Sequence, residues 1–356
     1  MQKQLYPYLT FLSLLGVLLF TAPNLAAQDD EDDYDPSQYE AADDTKIKAF
    51  CNNKIQNLSP SNLISISYDM VLPFDMVSTR TADNSETTTA MGINQGFRLE
   101  TNYPVYSKSN LIVNLYANYW QSNYASDATF SEGNQDLAQN LAEHPLRSIA
   151  VGALIFKPLN EKNFLIFQVE PSLNGNYNFG DLSPDFGKLR YSASALFGWK
   201  FNDNTNFAIG ATRTYRGGRV LHIPILMWNK TFNERWGTEM LLPARASLRY
   251  NFSVKSLLLF GYELEGQTYA LQGSNNAGFG SFAPNNTDLE LRKSEIRARL
   301  QFRQALSNFI WLDAQAGARI AYRFDMDETE AMTEAVLENN IGIPLYFRVG
   351  IALVSP

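Results

Sequence analysis

Residues 255–271, KSLLLFGYELEGQTYAL, decide how this chain is read. Leu258, Phe260, Tyr262 and Leu264 form one face, while Gly261, Glu263, Glu265 and Gln267 form the other. Two further runs repeat the pattern. Ile296, Ala298, Leu300 and Phe302 alternate with Glu295, Arg297, Arg299, Gln301 and Arg303. After a polar turn at 305–308, Ile310, Leu312, Ala314, Ala316, Ala318, Ile320 and Tyr322 alternate with Asp313, Gln315, Gly317, Arg319 and Arg323. A period of two is the mark of a β-strand with two unlike faces. These runs exceed the usual strand length of about five or six residues, and the polar face is charged. An apolar face towards lipid and a charged face towards a lumen is the pattern of a transmembrane β-barrel.

The rhythm extends in both directions. Ile64, Ile66, Tyr68 and Met70 begin it, and Leu345, Phe347, Val349, Ile351 and Leu353 end it. Between them lie runs around 91–100, 111–119, 146–156, 165–174, 191–200, 207–215, 220–229, 236–242 and 244–252. Gly217-Gly218 reads as a tight turn, and Pro224 weakens its run as an interior strand. Connections at 103–109, 158–163, 202–205, 233–235, 253–256 and 305–308 are short and polar. Those at 73–88, 121–147, 177–188, 272–286 and 325–340 are long, with Gly217-Gly218 and Pro243 as short exceptions in that series. The expectation is an all-β, antiparallel up-and-down barrel of 14 strands, with short periplasmic turns and long extracellular loops. If Leu242-Pro243-Ala244 is only a bulge, one strand is lost and another run must be misread to restore an even number, which makes the count 12.

Of the 356 residues, 29 are Lys or Arg and 37 are Asp or Glu. Nine acids and one base, Lys3, fall in residues 1–44, so the body is balanced and the acidity is local. No basic footprint for nucleic acid is present. Lys3, the apolar stretch 9–20 and Ala26-Ala27 read as a signal peptide over residues 1–27. Residues 28–61 read as an acidic, mostly disordered periplasmic leader, and residues 62–356 as the barrel. No later window is apolar enough for a spanning helix, so any crossing is by strands.

Local features accompany the rhythm: Phe50-Cys51-Asn52-Asn53-Lys54 before the first strand, Ser67-Tyr68 within it, Leu242-Pro243-Ala244-Arg245 leading to Leu248-Arg249-Tyr250, and Gly261-Tyr262-Glu263. On these, residues 61–355 resemble an outer-membrane barrel family of Bacteroidota-type bacteria classified only as a domain of unknown function. The resemblance implies fold and location and transfers no active site.

Chemistry is sparse. Cys51 is the single cysteine, which excludes an internal disulfide, and it reads as a small packed residue. His222 has no serine partner legible in sequence, and His144 ends a long loop beside Pro145. No catalytic group, metal site or cofactor is expected; an outer-membrane lipid hydrolase is the alternative. The residues of interest are the lumen-lining candidates Arg245, Arg249, Glu263, Glu265, Glu295, Arg297, Arg299, Arg303, Asp313, Arg319 and Arg323. Arg245 and Arg249 are expected to face Glu263 and Glu265 across a ladder. Such a wall either packs as a salt-bridged interior or lines a charged, mildly anion-favouring constriction. The functional expectation is porin-like permeation of small solutes, with a closed structural or ligand-binding barrel acting through its loops as the alternative. Expected partners are outer-membrane lipid, lipopolysaccharide and the insertion machinery, with the protein a monomer. A secreted soluble β-protein is the competing location.

Overall fold

The computed structural model describes residues 50–52, 54–126, 137–177, 188–271, 289–328 and 335–355. The signal peptide expected at 1–27 and residues 28–49 of the expected leader lie outside them.

Strands follow one another as β1 (Asn62–Val71), β2 (Phe74–Arg80), β3 (Glu86–Met91), β4 (Asn94–Lys108), β5 (Leu111–Asn123), β6 (Leu146–Pro158), β7 (Asn163–Gly175), β8 (Arg190–Asn202) and β9 (Thr205–Thr214). They continue as β10 (Leu221–Thr231), β11 (Trp236–Leu242), β12 (Arg245–Ser253), β13 (Ser256–Leu271), β14 (Leu289–Ala305), β15 (Ile310–Glu328), β16 (Leu337–Asn340) and β17 (Leu345–Val354). Among the described residues one helix, α1 (Leu137–Glu143), precedes β6. Among the described residues, fourteen strands (β1, β4 to β15 and β17) form an antiparallel ring that closes where β17 pairs with β1. Closure leaves the ring without a free edge, which a hydrocarbon surrounding requires.

The count of 14 turns on Pro243. Leu241 pairs with Arg245 across the Pro243-Ala244 turn, so β11 and β12 are two strands and not one bulged strand. Pro224 sits inside β10 opposite Ala211 of β9, on the part of β10 that extends past β11. A missing amide costs no ladder bond on that side. One short turn was expected in the wrong place. The stretch 103–109 is mostly strand, because β4 runs to Lys108 after a bulge between Pro104 and Tyr106, and the turn is Ser109-Asn110.

Three of the expected loops carry structure. β2 and β3 form a hairpin at 73–91, β16 adds to β2, and α1 lies within the 121–147 connection. Met76, Met91, Leu137, Leu141 and Leu337 from these pieces pack on Trp120, Tyr269, Leu291 and Phe324 from the barrel, and together they cap the long-loop end. At the short-turn end a second apolar cluster joins Cys51, Phe156, Phe164 and Leu196.

The two faces of the wall differ as the alternation requires. Ile66 and Phe260 on the outside are 45% and 64% exposed, while Arg249 and Glu295 on the inside are 0% exposed. Water-soluble proteins bury the first kind and expose the second; hydrocarbon reverses the preference.

The described part of the leader is anchored. Residues 50–52 and 54–61 cross the short-turn mouth, where the Cys51 amide donates to the Asn160 carbonyl at 3.0 Å and the Gln56 amide to the Asp203 carbonyl at 2.7 Å. Thr231 Oγ1 donates to the Gln56 carbonyl at 2.7 Å, and Arg303 Nη1 to the Pro60 carbonyl at 3.1 Å. This strap therefore ties together turns from opposite parts of the ring.

Candidate functional site: a lumenal ion-pair lattice

The charged faces of β13, β14 and β15 meet those of β17, β1 and β4, because these six strands are neighbours in the closed ring. Three carboxylates organise the centre. Asp69 on β1 receives Arg98 Nε at 2.9 Å, Arg297 Nη1 at 3.4 Å, and both Nε and Nη2 of Arg348, the latter at 3.2 Å. Glu265 on β13 receives Arg98, Arg297 Nη1 at 3.1 Å and Arg348 Nη2 at 3.8 Å. Glu295 on β14 receives Arg297 Nε at 2.7 Å, Arg319 Nε at 2.9 Å and Lys293 Nζ at 4.0 Å. Each guanidinium is a rigid fork able to hold two carboxylates at once, and Arg98, Arg297 and Arg348 all do so.

Register explains the bridging. Glu265 lies opposite Glu295, and Arg297 lies opposite Arg319. Like charges directly across a ladder repel, so each group turns to a diagonal neighbour. Aromatic rings cover the lattice: Arg98 and Lys293 lie 5.2 and 4.6 Å from the Trp120 ring centre, and Arg297 lies 5.2 Å from that of Tyr346. These distances are within cation–π range.

Two smaller groups lie towards the short turns. Arg299 pairs with Glu263, and Arg303 Nε lies 3.4 Å from Asp313, which also accepts from Gln301 and Gln315. Arg249 does not face Glu263 or Glu265 as expected. Its register partner on β13 is Leu259, and it turns to the preceding strands, with Nη1 2.9 Å from Glu239 and Nη2 2.8 Å from Thr231 Oγ1. Arg245 does stand opposite Glu263 but is exposed near the hairpin tip. Arg323 lies opposite Ser294, beyond the bulge that separates it from Arg319, in the field of Asp325 and Asp327.

Sequence reasoning missed Asp69, Arg98, Arg348, Lys293 and Glu239. The signal was available: the same alternation on the first and last strands puts Asp69 and Arg348 on the polar face, and closure makes them cross-strand partners. No cluster of three or more His, Cys, Asp or Glu among the described residues is placed to hold a metal ion. His222 is exposed on the outer face, and neither it nor His144 is hydrogen-bonded to a serine among the described residues. The lattice can brace the wall, and its five cations against three carboxylates give it a net positive charge.

Among curated proteins, none matches the sequence. Solved structures with a similar course include the COG4313 outer membrane channel from Pseudomonas putida F1, at 11% identity and TM-score 0.38, covering 84% of this chain and 98% of that one. The NanC porin gives 9% identity and TM-score 0.33, covering 81% and 100%. The Pseudomonas putida toluene transporter TodX gives 9% identity and TM-score 0.32, covering 82% and 89%. No site residue or cargo transfers from them. Residues 74–354 match a family directly, a match that starts after Ser67-Tyr68 and takes in the proline hairpin and the lattice strands β13 to β17, and the chain belongs to that family, the domain of unknown function DUF6268.

Proposed function

We propose that the protein is an outer-membrane barrel of a Gram-negative, Bacteroidota-type cell, exported by its N-terminal signal, inserted by the outer-membrane assembly machinery, and working as a controlled passage for small solutes. The observation that carries this reading is the inversion of the wall, apolar outside and ionic inside. Exchanging buried ion pairs for apolar residues is often neutral or stabilising, so a purely structural interior has little need of this lattice. An interior that admits water and solute needs a polar lining, and rings of charge select what passes. The lattice, the apolar cap and the strap describe the passage at rest, and opening requires part of the lattice to part. Excess arginine over carboxylate favours anions. The reading is non-enzymatic: His222 lies on the outer face, away from the lumen, and no hydrogen bond joins it to a serine among the described residues.

Planar bilayers test this. Wild-type protein is expected to give rare, small, anion-selective openings, and Glu265→Gln, which leaves Arg98, Arg297 and Arg348 with one carboxylate fewer, is expected to open more often. Cation preference, or silence from both proteins after verified insertion, overturns permeation. A second reading, a closed barrel that binds through its extracellular cap, is favoured by the packing of Met76, Leu137 and Leu337 over the lattice. It predicts silence in bilayers together with a ligand lost when the β2–β3 hairpin is removed.

A further inference from the structure

The β11–β12 hairpin is shorter than its neighbours. β10 pairs with β11 only from Leu226 to Thr231, and β13 pairs with β12 only as far as Glu263. Among the described residues beyond the Pro243-Ala244 turn, residues 221–225 of β10 have a ladder partner only in β9, and residues 264–271 of β13 pair with β14 and, at Ala270 alone, with Gly175 of β7. The wall therefore has a notch in its long-loop half. The β9–β10 connection roofs it: Arg216 Nη1 donates to the Leu264 carbonyl at 3.0 Å, Ser294 Oγ donates to the Arg216 carbonyl at 2.7 Å, and Thr268 Oγ1 donates to the Gly218 carbonyl at 3.0 Å. Gly266 permits this approach, since a Cβ there would stand 2.3 Å from the Arg216 carbonyl. The expected tight turn at Gly217-Gly218 is thus a strap over a window.

Behind the window is a chamber of about 110 Å³. Its rim is apolar, formed by Ile223, Leu241, Pro243 and Leu264, and its inner wall is polar, formed by Gln168, Glu170, Ser192, Ser194 and Thr212. Ile225 and Leu241 on its lining also pack with the apolar cluster at the short-turn end, so the chamber has an apolar floor. Glu170 makes no salt bridge among the described residues; its charged and polar neighbours are Arg216 and the Tyr116 hydroxyl. An ionisable group at membrane depth without an ion-pair partner is costly, and such groups mark binding or transport sites. On the outer face beside the window, Phe167, Val169, Ala193, Ala195, Ala211 and Pro224 line an apolar groove of about 550 Å³ that shares Ile223 with the chamber.

From a carboxylate and a guanidinium set in one polar chamber, an apolar rim and an adjoining apolar groove, we infer that this is a binding site for an amphiphile with a zwitterionic head, which enters sideways from the lipid. The ammonium lies against Glu170, the anionic part against Arg216, and the chain stays outside in the groove. This rests on the membrane placement proposed above and is independent of permeation.

The test uses the full protein in maltoside micelles, its fold verified by heat-modifiable gel mobility, with binding read by native mass spectrometry. Three probes are compared: lysophosphatidylethanolamine, lysophosphatidylglycerol, and free phosphoethanolamine. The first is expected to bind tighter than either other by roughly tenfold or more, the worth of one charge-assisted hydrogen bond. Glu170→Gln is expected to bring it to the lysophosphatidylglycerol level. Ala244→Trp, at the lip of the window, is expected to weaken it without touching the polar wall, and it decides the matter if Glu170→Gln fails to fold. Equal binding of the two lysolipids, or no effect of whichever variants fold, overturns the site. Free phosphoethanolamine binding as tightly as the lysolipid overturns lateral entry of an amphiphile. A wild-type product found soluble in the periplasm overturns the membrane placement instead, and bilayer conductance answers separately for permeation.

Discussion

Glu265 and Glu295 stand directly opposite each other on β13 and β14, and Arg297 joins them, its Nη1 3.1 Å from Glu265 and its Nε 2.7 Å from Glu295. One guanidinium thus converts a repulsive register into a bridge. Because Arg297 also reaches Asp69 at 3.4 Å, it links β14 to β1 across the seam where the ring closes.

Removing that bridge leaves buried carboxylates facing each other. Arg297→Met is expected to destabilise the barrel by about 3–5 kcal/mol, the usual cost of breaking a buried ion pair from one side. The midpoint of urea unfolding in micelles reads it. Adding Glu295→Gln to that variant is expected to recover part of the loss, because the remaining mismatch shrinks. A single variant within about 0.5 kcal/mol of wild type, the range of ordinary surface substitutions, would mean that the lattice is water-screened and does not brace the wall.

A second relationship tests the apolar end. Gly198 on β8 lies opposite Phe164 on β7, and a Cβ at Gly198 would stand 2.2 Å from the Phe164 ring. The ring fills the space the glycine leaves, and it is 0% exposed in the cluster with Phe156 and Leu196. Gly198→Leu is expected to push it out of place and cost about 1–3 kcal/mol, as overpacking does. Unchanged heat stability on gels would show that this cluster has slack.

The ring was legible because its signal is repeated fourteen times with one period, and hairpin topology needs no long-range guess. Pro243 was the ambiguous point, and only the Leu241–Arg245 pairing resolves it. The cap was not legible. α1 has 7 residues, two turns, too few for a helical period to stand out, and β16 has 4. In the lattice, the alternation gave the inward side of each residue but not its partner. Arg249 shows why: a long guanidinium chooses among several acids within reach, and the choice of Glu239 over Glu263 depends on register and tilt, which no single strand encodes. Asp69, Arg98 and Arg348 became visible only once the first and last strands were joined.

Cys51 reports on the strap. Burial pushes its thiol above the ordinary range, opposed by a backbone hydrogen bond and by Lys200. A raised value means a smaller thiolate fraction at any given pH, and the thiolate is the reactive form. Iodoacetamide at pH 8 is therefore expected to alkylate Cys51, buried in the folded protein, more slowly than in urea. Equal rates would mean that Cys51 and the strap at 54–61 are not seated at the mouth.

Glu239 couples the strap to the wall. Its Oε1 accepts from the Ser59 amide at 3.0 Å, from the Ser59 hydroxyl at 2.8 Å and from Arg249 Nη1 at 2.9 Å. Glu239→Ala is expected to do two things: free the strap, and leave the fully buried Arg249 with Thr231 as its remaining side-chain partner. Trypsin cleavage after the exposed Lys54 reads the first effect, and unfolding in urea reads the second. The double variant Glu239→Met/Arg249→Met separates them, since an apolar pair of similar volume can replace a buried ion pair without loss of stability. It is expected to unfold like wild type and still be cleaved like Glu239→Ala. Ser59→Ala removes one of the two strap bonds and is expected to fall between. If the double variant also regains protection from trypsin, the strap is held by its apolar and backbone contacts, and Glu239 serves the wall alone.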